Sequence, residues 1–409
     1  MTIVPWRSLL RASVAPRFGV FLILWLLAYS GNVTELVTRG YWESVTAQST
    51  FLLVWTAPAV AACGAWEGTR VRRSAVLEGA PTRSPVAVAL TALAPTLLLG
   101  GLSVALAVSL LAPQAMGYPG WPSLPVMALQ LLVVAAHTVV GYVLGLSALR
   151  ALAVPVALVG SFLWMAYPAA LPAFWVRQLN GTNIAECCAI DQTVATRGII
   201  APAVVAMGMI AAAWLWSMRR RLYQIPAVVA LGSLIATGAW IAQPLGYAAA
   251  QDRPAAERSC TGAEPRVCLW PEQRRSAAEI TRWAGEAHDR LEAAGISVRA
   301  EITPMSAAPR RDDVIGLVAF GVLPNDIPAC ASRGDWPGNL AFGPLHAWLS
   351  LTAGVDPVSL AGRYIPQEVE IAERVRELPQ PAQQEWFQRN APTLTVCDQH
   401  PNLDPAHYL

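Results

Sequence analysis

Seven long apolar stretches occupy the first 250 residues and leave few folds open to this chain. They cover residues 18–37, 48–65, 86–111, 124–146, 151–175, 199–218 and 225–250. A helix of about 20 apolar residues spans the hydrocarbon core of a bilayer, and the sequence is 55% hydrophobic but only 14% charged. We therefore predict a polytopic α-helical membrane protein with about seven transmembrane helices, formed by residues 1–250.

Arginine is concentrated in the loops on one side of this predicted bundle. The most basic loop is segment 66–85, WEGTRVRRSAVLEGAPTRSP, and the other two contain Arg150 and the run 219–221. Loops rich in arginine stay in the cytoplasm, so we predict a cytoplasmic amino terminus, with the amphipathic residues 1–17 on the inner membrane surface. Seven spans then place residues 251–409 outside the cell.

All 29 basic residues are arginine, which is typical of GC-rich bacterial coding. A P-loop requires a lysine on the phosphates, and Schiff-base chemistry requires a lysine amine. The net charge of +2 gives no field that would recruit nucleic acid. We expect a chain of a bacterial cell membrane that neither hydrolyses ATP itself nor binds nucleic acid.

The composition from residue 251 onward is that of a soluble domain with frequent charges. Apolar residues at helical spacing predict a helix over 271–294, and further helices are predicted over 339–353, 366–378 and 381–390. Alternation predicts a strand over 296–303, and a short apolar run predicts another over 314–322. We therefore predict that residues 251–409 form a small extracytoplasmic α+β domain.

Six of the seven cysteines fall on the predicted outer side, where an even set indicates disulfides. Our expected pairs are Cys260–Cys268 and Cys330–Cys397, although four cysteines allow three pairings. The adjacent Cys187 and Cys188 could form a vicinal bond, pair elsewhere or stay free. The cysteine and histidine spacings match no zinc pattern, so no metal site is expected.

Motifs of the common hydrolases do not occur: the sequence has no HExxH, no GxSxG and no EF-hand-like acidic run. Clusters with chemical character are Asp312–Asp313, His346 and the terminal CDQHPNLDPAH. Because such residues in tails more often form turns and caps, we expect this domain to bind a ligand or partner and not to be an enzyme. Within the predicted spans, His137 is either a functional ionisable group or a neutral hydrogen-bonding residue.

The order of these features resembles the permease subunit of ABC-2-type transporters. The likeness rests on a basic start, two spans and then Glu67-Gly68-Thr69, followed by arginines and a Pro-Thr-Arg-Ser-Pro run. In that family the segment after the second span forms a coupling helix seated in the ATPase subunit. The resemblance implies that Glu67, Gly68 and Thr69 begin this segment. It further implies that its basic turn is formed by Arg70, Arg72 and Arg73.

The same resemblance implies partners and cofactors. They are a separate nucleotide-binding ATPase subunit, which would carry ATP and Mg²⁺, and a second permease chain, so that this chain needs no cofactor of its own. Two departures are the seventh span and the outer domain at the carboxyl end. The tail is similar to that of actinobacterial permease-like membrane proteins of unassigned function.

Three alternatives remain open at the level of sequence. Segment 66–85 could be an ordinary positive connector between two spans. The chain could be a membrane-anchored sensor or scaffold whose outer domain recognises a ligand without transport. A membrane-bound hydrolase is the third alternative, for which no motif is present.

Overall fold

The structure is a computed structural model that describes residues 6–74, 84–218, 221–262, 264–298, 301–324, 327–334 and 336–409. The chain divides into two compact units, Met1–Arg253 and Pro254–Leu409. We call the first the membrane unit and the second the C-terminal unit, and each is described by itself.

The membrane unit consists of ten helices within the described residues. They are α1 (Trp6–Ala12), α2 (Ala15–Thr34), α3 (Trp42–Ser49), α4 (Leu53–Arg73), α5 (Pro85–Leu111), α6 (Leu124–Ser147), α7 (Arg150–Ala166), α8 (Phe174–Arg177), α9 (Thr196–Ser217) and α10 (Arg221–Ala242). Seven helical segments are long and apolar enough to cross a membrane. The predicted apolar spans are thereby present as helices, and helices of this length and composition, which satisfy their own backbone groups in lipid, fit a multi-pass membrane protein.

Helix α4 lies at the centre of the membrane unit. Within the apolar window of its span, 83% is buried inside the protein, against 17% for the last span. Gly64 and Gly68 of α4 face Gly141 and Gly145 of α6 so closely that a methyl group on any of them would overlap a backbone carbonyl of the opposite helix. Glycines permit this approach of two backbones. The Gly141–Gly145 pair therefore packs inside one bundle.

The second span is longer than the sequence indicates. Residues 42–47 lie between the first two predicted spans, 18–37 and 48–65, yet the largely polar segment 42–49, WESVTAQS, forms α3 and continues through a 3₁₀ turn (Thr50–Leu52) into α4. Their side chains find partners inside the protein: Gln48 Nε2 donates to the Ala185 carbonyl at 2.6 Å, and Thr46 Oγ1 donates to the Trp42 carbonyl at 2.9 Å. Polar side chains that form hydrogen bonds can be buried inside a protein. The polar composition of this segment therefore did not indicate a loop, and the predicted span began too late.

The loops alternate between two ends of the helical bundle. At one end, Thr38 Oγ1 donates to the Cys188 carbonyl at 2.8 Å, and β1 (Gln192–Val194) pairs antiparallel with β2 (Ala250–Asp252). At the other end, Ser13 contacts Glu67 and Arg72 contacts Ala148. The predicted outer segments thus meet one another, and so do the predicted inner ones.

The described residues of the C-terminal unit form six α-helices and a three-stranded sheet, so the predicted mixture of helices and strands is confirmed. The helices are α11 (Ala277–Ala293), α12 (Arg311–Phe320), α13 (Phe342–Ala353), α14 (Pro357–Leu360), α15 (Pro366–Arg376) and α16 (Gln380–Asn390). In the sheet, β4 (Arg266–Leu269) pairs antiparallel with β3 (Ser259–Thr261) and parallel with β5 (Glu301–Ile302). The core forms around Trp348 and Trp386, whose rings meet edge to face at 5.7 Å.

One element of this unit differs in type from the prediction. Residues 314–322, predicted as a strand, belong mainly to helix α12. The helix buries Val314, Ile315, Val318 and Ala319, which recur at helical spacing, and the Asp313 carboxylate caps its start by accepting from the Arg310 N–H at 2.9 Å. A short apolar run does not separate a buried strand from a buried helix. The strand predicted over 296–303 is reduced to β5.

Candidate functional site

The resemblance places its site residues at the end of α4, and the structure shows them as helix and not as loop. Helix α4 continues to Arg73, two turns beyond the predicted end of the span. Residues 75–83, which contain Arg83 and most of the Pro-Thr-Arg-Ser-Pro run, lie outside the described residues. The described part of segment 66–85 is therefore mainly a continuation of the central helix.

Glu67 is the most buried charged residue of this helix end, with 0% of its surface exposed. Its carboxylate accepts from Ser13 Oγ at 2.8 Å and from the Val14 N–H at 3.3 Å. Arg70 Nη2 lies 2.6 Å from Glu67 Oε2 and forms an ion pair. Glu67 thus ties the corner between α1 and α2 to α4.

Gly68 and Thr69 also face the protein interior. Gly68 packs against the backbone of Tyr142 and Gly145, and Thr69 Oγ1 donates to the Trp66 carbonyl at 2.7 Å. Together with Glu67 they are buried in the membrane unit. That Glu67, Gly68 and Thr69 begin a coupling segment stays a prediction, and the structure places this start inside the packed end of α4.

The arginines of the helix end reach outward to neighbouring helices. Arg70 Nη1 donates to the Ala12 carbonyl at 3.1 Å, and Arg72 Nη1 donates to the Ala148 carbonyl, between α6 and α7, at 2.9 Å. Arg73 is exposed. Positive charge is favourable at a helix carboxyl terminus because of the helix dipole. We call Glu67, Arg70 and Arg72, with their contacts to the α1–α2 corner and to Ala148, the α4 clamp.

A second candidate site is a cavity of about 640 Å³ in the C-terminal unit. We call it the α12–α13 pocket, because these two helices form most of its wall. This pocket brings together Asp312, Asp313 and His346, which the sequence analysis identified separately. It also contains aromatic and charged residues that the sequence analysis did not identify. The added residues used below are Phe320, Phe342, Arg363, Tyr364 and Glu368.

His346 is held in one orientation at the pocket wall. Its Nε2 lies 3.0 Å from the Gly316 carbonyl and its Nδ1 lies 2.9 Å from the Tyr364 hydroxyl. A carbonyl can only accept, so Nε2 carries the proton and Nδ1 accepts from Tyr364. Burial lowers the pKa of His346, the bond to Gly316 opposes this change, and the charge of Arg363 adds to it. The imidazole is therefore neutral at physiological pH.

The two aspartates of the pocket are matched by arginines. Asp313 accepts from Arg363 Nη2 at 2.6 Å and lies 3.5 Å from Arg310 Nε. Asp312 accepts from Ser359 Oγ at 2.5 Å and lies 3.6 Å from Arg311. Burial alone would raise the pKa of Asp313, but hydrogen bonds from Arg310 and Arg363 and their charges lower it below the usual value.

Disulfides stabilise the C-terminal unit, as its cysteine content predicts. The bonds join Cys260 to Cys268 across β3 and β4, and Cys330 to Cys397 over 67 residues of sequence separation. In the membrane unit Cys187 and Cys188 form a vicinal disulfide, one of the three alternatives that the sequence left open. Cys63 is a buried free thiol.

Other candidates have structural roles. His137 Nδ1 lies 2.7 Å from Ser161 Oγ, which joins α6 to α7. In the terminal segment, Asp404 caps the last turn by accepting from the Ala406 N–H, and His407 Nδ1 contacts Asn402 at 2.9 Å. Within the described ranges, no three His, Cys, Asp or Glu side chains lie close enough to hold a metal ion.

Comparison with known proteins reaches only the C-terminal unit. Residues 267–397 match a family model described as "Domain of unknown function (DUF7224)". The match spans every residue of the α12–α13 pocket used here. No curated protein and no solved structure matches the chain.

Apart from His346, the aromatic residues of the α12–α13 pocket were not identified from the sequence, and neither was Arg363. Phe320, Phe342, Arg363 and Tyr364 come from three separate segments, and none lies in a recognisable motif. Only the packing of α12 against α13 and of the turn before α15 brings them together.

Proposed function

We propose that this chain is the transmembrane subunit of an ABC-2-like transporter that works as an exporter. A separate ATPase subunit, carrying ATP and Mg²⁺, would drive it, and a second permease chain would complete the pathway. The C-terminal unit would bind or gate the substrate, or bind a further subunit, on the outer side of a bacterial cell membrane.

The observation that carries this proposal is the α4 clamp. It joins the basic end of the central helix to the α1–α2 corner through Glu67 and Arg70, and to the α6–α7 turn through Arg72. A displacement of this helix end is therefore passed to several membrane helices at once. Tightly packed elements of this kind move as rigid bodies and transmit motion from one site to another.

The proposed orientation places the clamp in the cytoplasm. Arg70, Arg72 and Arg73 lie in the last turn of α4, and arginine-rich membrane borders are retained on the cytoplasmic side. The disulfides of the C-terminal unit fit an oxidising compartment on the other side. With Glu67 buried, the proposed contact surface for an ATPase is, among the described residues, the exposed Arg73 and the outer part of Arg72.

The experiment is purification of the tagged chain from its native host in a mild detergent, with identification of co-purifying proteins and an ATPase assay. A stoichiometric P-loop partner is expected. Arg73→Glu should then abolish the stimulation of ATPase activity by this chain, whereas Arg17→Glu, an exposed arginine of α2, should leave it unchanged. Absence of a partner, or equal stimulation in the two variants, would contradict the proposal.

A membrane-anchored ligand sensor is the second candidate, and the α12–α13 pocket is the observation that favours it. A sensor would bind its ligand through this pocket without a P-loop partner. The same purification separates the two functions, because a sensor would lack the stoichiometric ATPase.

A further inference from the structure

We propose that the α12–α13 pocket is a saccharide-binding site. Every residue in the argument belongs to the C-terminal unit, so the inference does not depend on the transport proposal. Its volume of about 640 Å³ lies within the range of small-molecule sites.

One side of the pocket is an aromatic wall. Phe320 and His346 meet edge to face with centroids 5.5 Å apart, and His346 and Tyr364 do so at 5.7 Å. Phe342 lies 6.1 Å from Phe320. Phe320 remains 38% exposed despite these contacts. The face of an aromatic ring is apolar and carries partial negative charge, so it attracts the C–H groups of a sugar ring.

The other side presents planar polar groups that the protein already holds in position. Arg363 is fixed by Asp313, and the Glu368 carboxylate accepts from the Ile365 N–H at 3.2 Å. Each retains further capacity, because a carboxylate has about four acceptor positions and a guanidinium has five N–H donors. The side chains of Arg363 and of its partner Asp313 are partly exposed, 34% and 36% respectively. Two neighbouring hydroxyl groups of a sugar could donate to the Glu368 carboxylate and accept from the Arg363 guanidinium.

The floor of the pocket contains a further polar group. Ser350 lines the pocket and is 1% exposed. Its hydroxyl lies near that of Tyr364, but it forms no hydrogen bond of good geometry with a described residue. A buried hydroxyl without such a bond costs free energy. A ligand hydroxyl that reaches the floor would supply the missing partner.

The charges of the pocket decide against an anionic ligand. Asp312, Asp313 and Glu368 carry three negative charges, and Arg310, Arg311 and Arg363 carry three positive charges beside the two aspartates. His346 is neutral for the reasons given above. An anion would therefore face three carboxylates, while the guanidinium of Arg363 is already paired with Asp313. A neutral ligand with one apolar face and many hydroxyl groups fits both sides of the pocket.

The test uses the full chain in lipid nanodiscs, because alkyl glycoside detergents would themselves present sugar headgroups. The ligands are glucose, mannose, arabinose, N-acetylglucosamine, maltose and trehalose, with choline and citrate as a cation and an anion. Saturation-transfer NMR detects contact, and calorimetry measures the dissociation constant. We expect at least one sugar to bind saturably, and choline and citrate not to compete with it.

Two variants locate the binding. Phe320→Ala removes the exposed ring and Arg363→Gln removes the guanidinium, and each should weaken binding by about tenfold or more. Arg374→Gln is the matched control, since Arg374 is exposed and pairs with Asp404 away from the pocket. Circular dichroism establishes that each variant is folded, and Arg363→Gln provides the test if Phe320→Ala is not. The proposal would be overturned if none of the six sugars bound, or if both pocket variants bound sugar as tightly as the wild type. Displacement of the sugar by choline or citrate would also overturn it.

Discussion

Glu67 is a charged side chain in the membrane unit with none of its surface exposed, and its partners explain how this is tolerated. Ser13, Val14 and Arg70 all direct donors at its carboxylate. Glu67→Gln would turn one acceptor into a donor that faces other donors. Loss of a buried hydrogen bond to a charged group should lower the free energy of unfolding by about 1–3 kcal/mol.

Thermal unfolding of the purified chain, followed by tryptophan fluorescence, measures this effect. Arg73→Gln changes an exposed residue of the same helix turn and should stay within about 0.5 kcal/mol of the wild type. Equal melting temperatures for Glu67→Gln and Arg73→Gln would show that the α4 clamp does not stabilise the bundle.

His346 makes the stability of the C-terminal unit depend on pH. Burial lowers its pKa from the usual 6.5, so the folded state favours the neutral imidazole. This contribution to stability is complete above pH 6.5 and is lost as the pH falls from there toward the folded pKa. His346→Gln preserves a donor and an acceptor but does not titrate. The variant should therefore be less stable at about pH 7.5 and approach the wild type at about pH 5.

Melting curves of both proteins at the two pH values measure the difference between them, which cancels the other titrating groups. A difference that does not change with pH would mean that protonation of His346 is not linked to folding.

At the scale of elements, the contact between α4 and α6 depends on glycine. Gly141→Ala would place a methyl group against the Ala61 carbonyl and force the two helices apart. Overpacking of this kind costs about 1–3 kcal/mol. Gly160→Ala in α7 is the matched control, because no atom lies within 4 Å of the added methyl group, and alanine is the better helix former.

Melting of the two variants in nanodiscs should therefore give a lower temperature for Gly141→Ala and an unchanged or higher one for Gly160→Ala. If the two substitutions had the same effect, close packing of α4 on α6 would not be what stabilises the bundle.

Elements could be predicted from the sequence where burial and periodicity agree. The spans and the helix before Gly295 were found because one property, apolar length or helical spacing, determines each. Helix α3 was missed because its polar residues are satisfied by a distant segment around Ala185, and 314–322 was misassigned because a buried run has no distinctive period.

For the candidate sites, the arginines of α4 were identified but the burial of Glu67 was not. Contacts with Ser13 and Val14 arise only from the packed bundle.

For the whole molecule, the number of spans determines which loops share a side of the membrane. Five of the seven candidate spans follow Arg73. Crossing by all five would place the end of α4 and the C-terminal unit on opposite sides of the membrane, whether or not the first span crosses. Two candidate spans lie between the Cys187–Cys188 bond and the C-terminal unit, so crossing by both would put all three disulfides on the same side, as a single oxidising compartment requires.

Labelling of intact cells tests this arrangement. A membrane-impermeant reductant followed by an impermeant maleimide should modify Cys260, Cys268, Cys330 and Cys397, since both disulfides of the C-terminal unit would face outward. In an Arg73→Cys variant the introduced thiol should react only after lysis, because an arginine-rich helix end is retained in the cytoplasm. Modification of both sets in intact cells would mean that one of the last five spans does not cross. The last of them is the least buried of the candidate spans, with 17% of its window buried, and if it is the one that does not cross, deleting residues 222–242 would leave the labelling pattern unchanged.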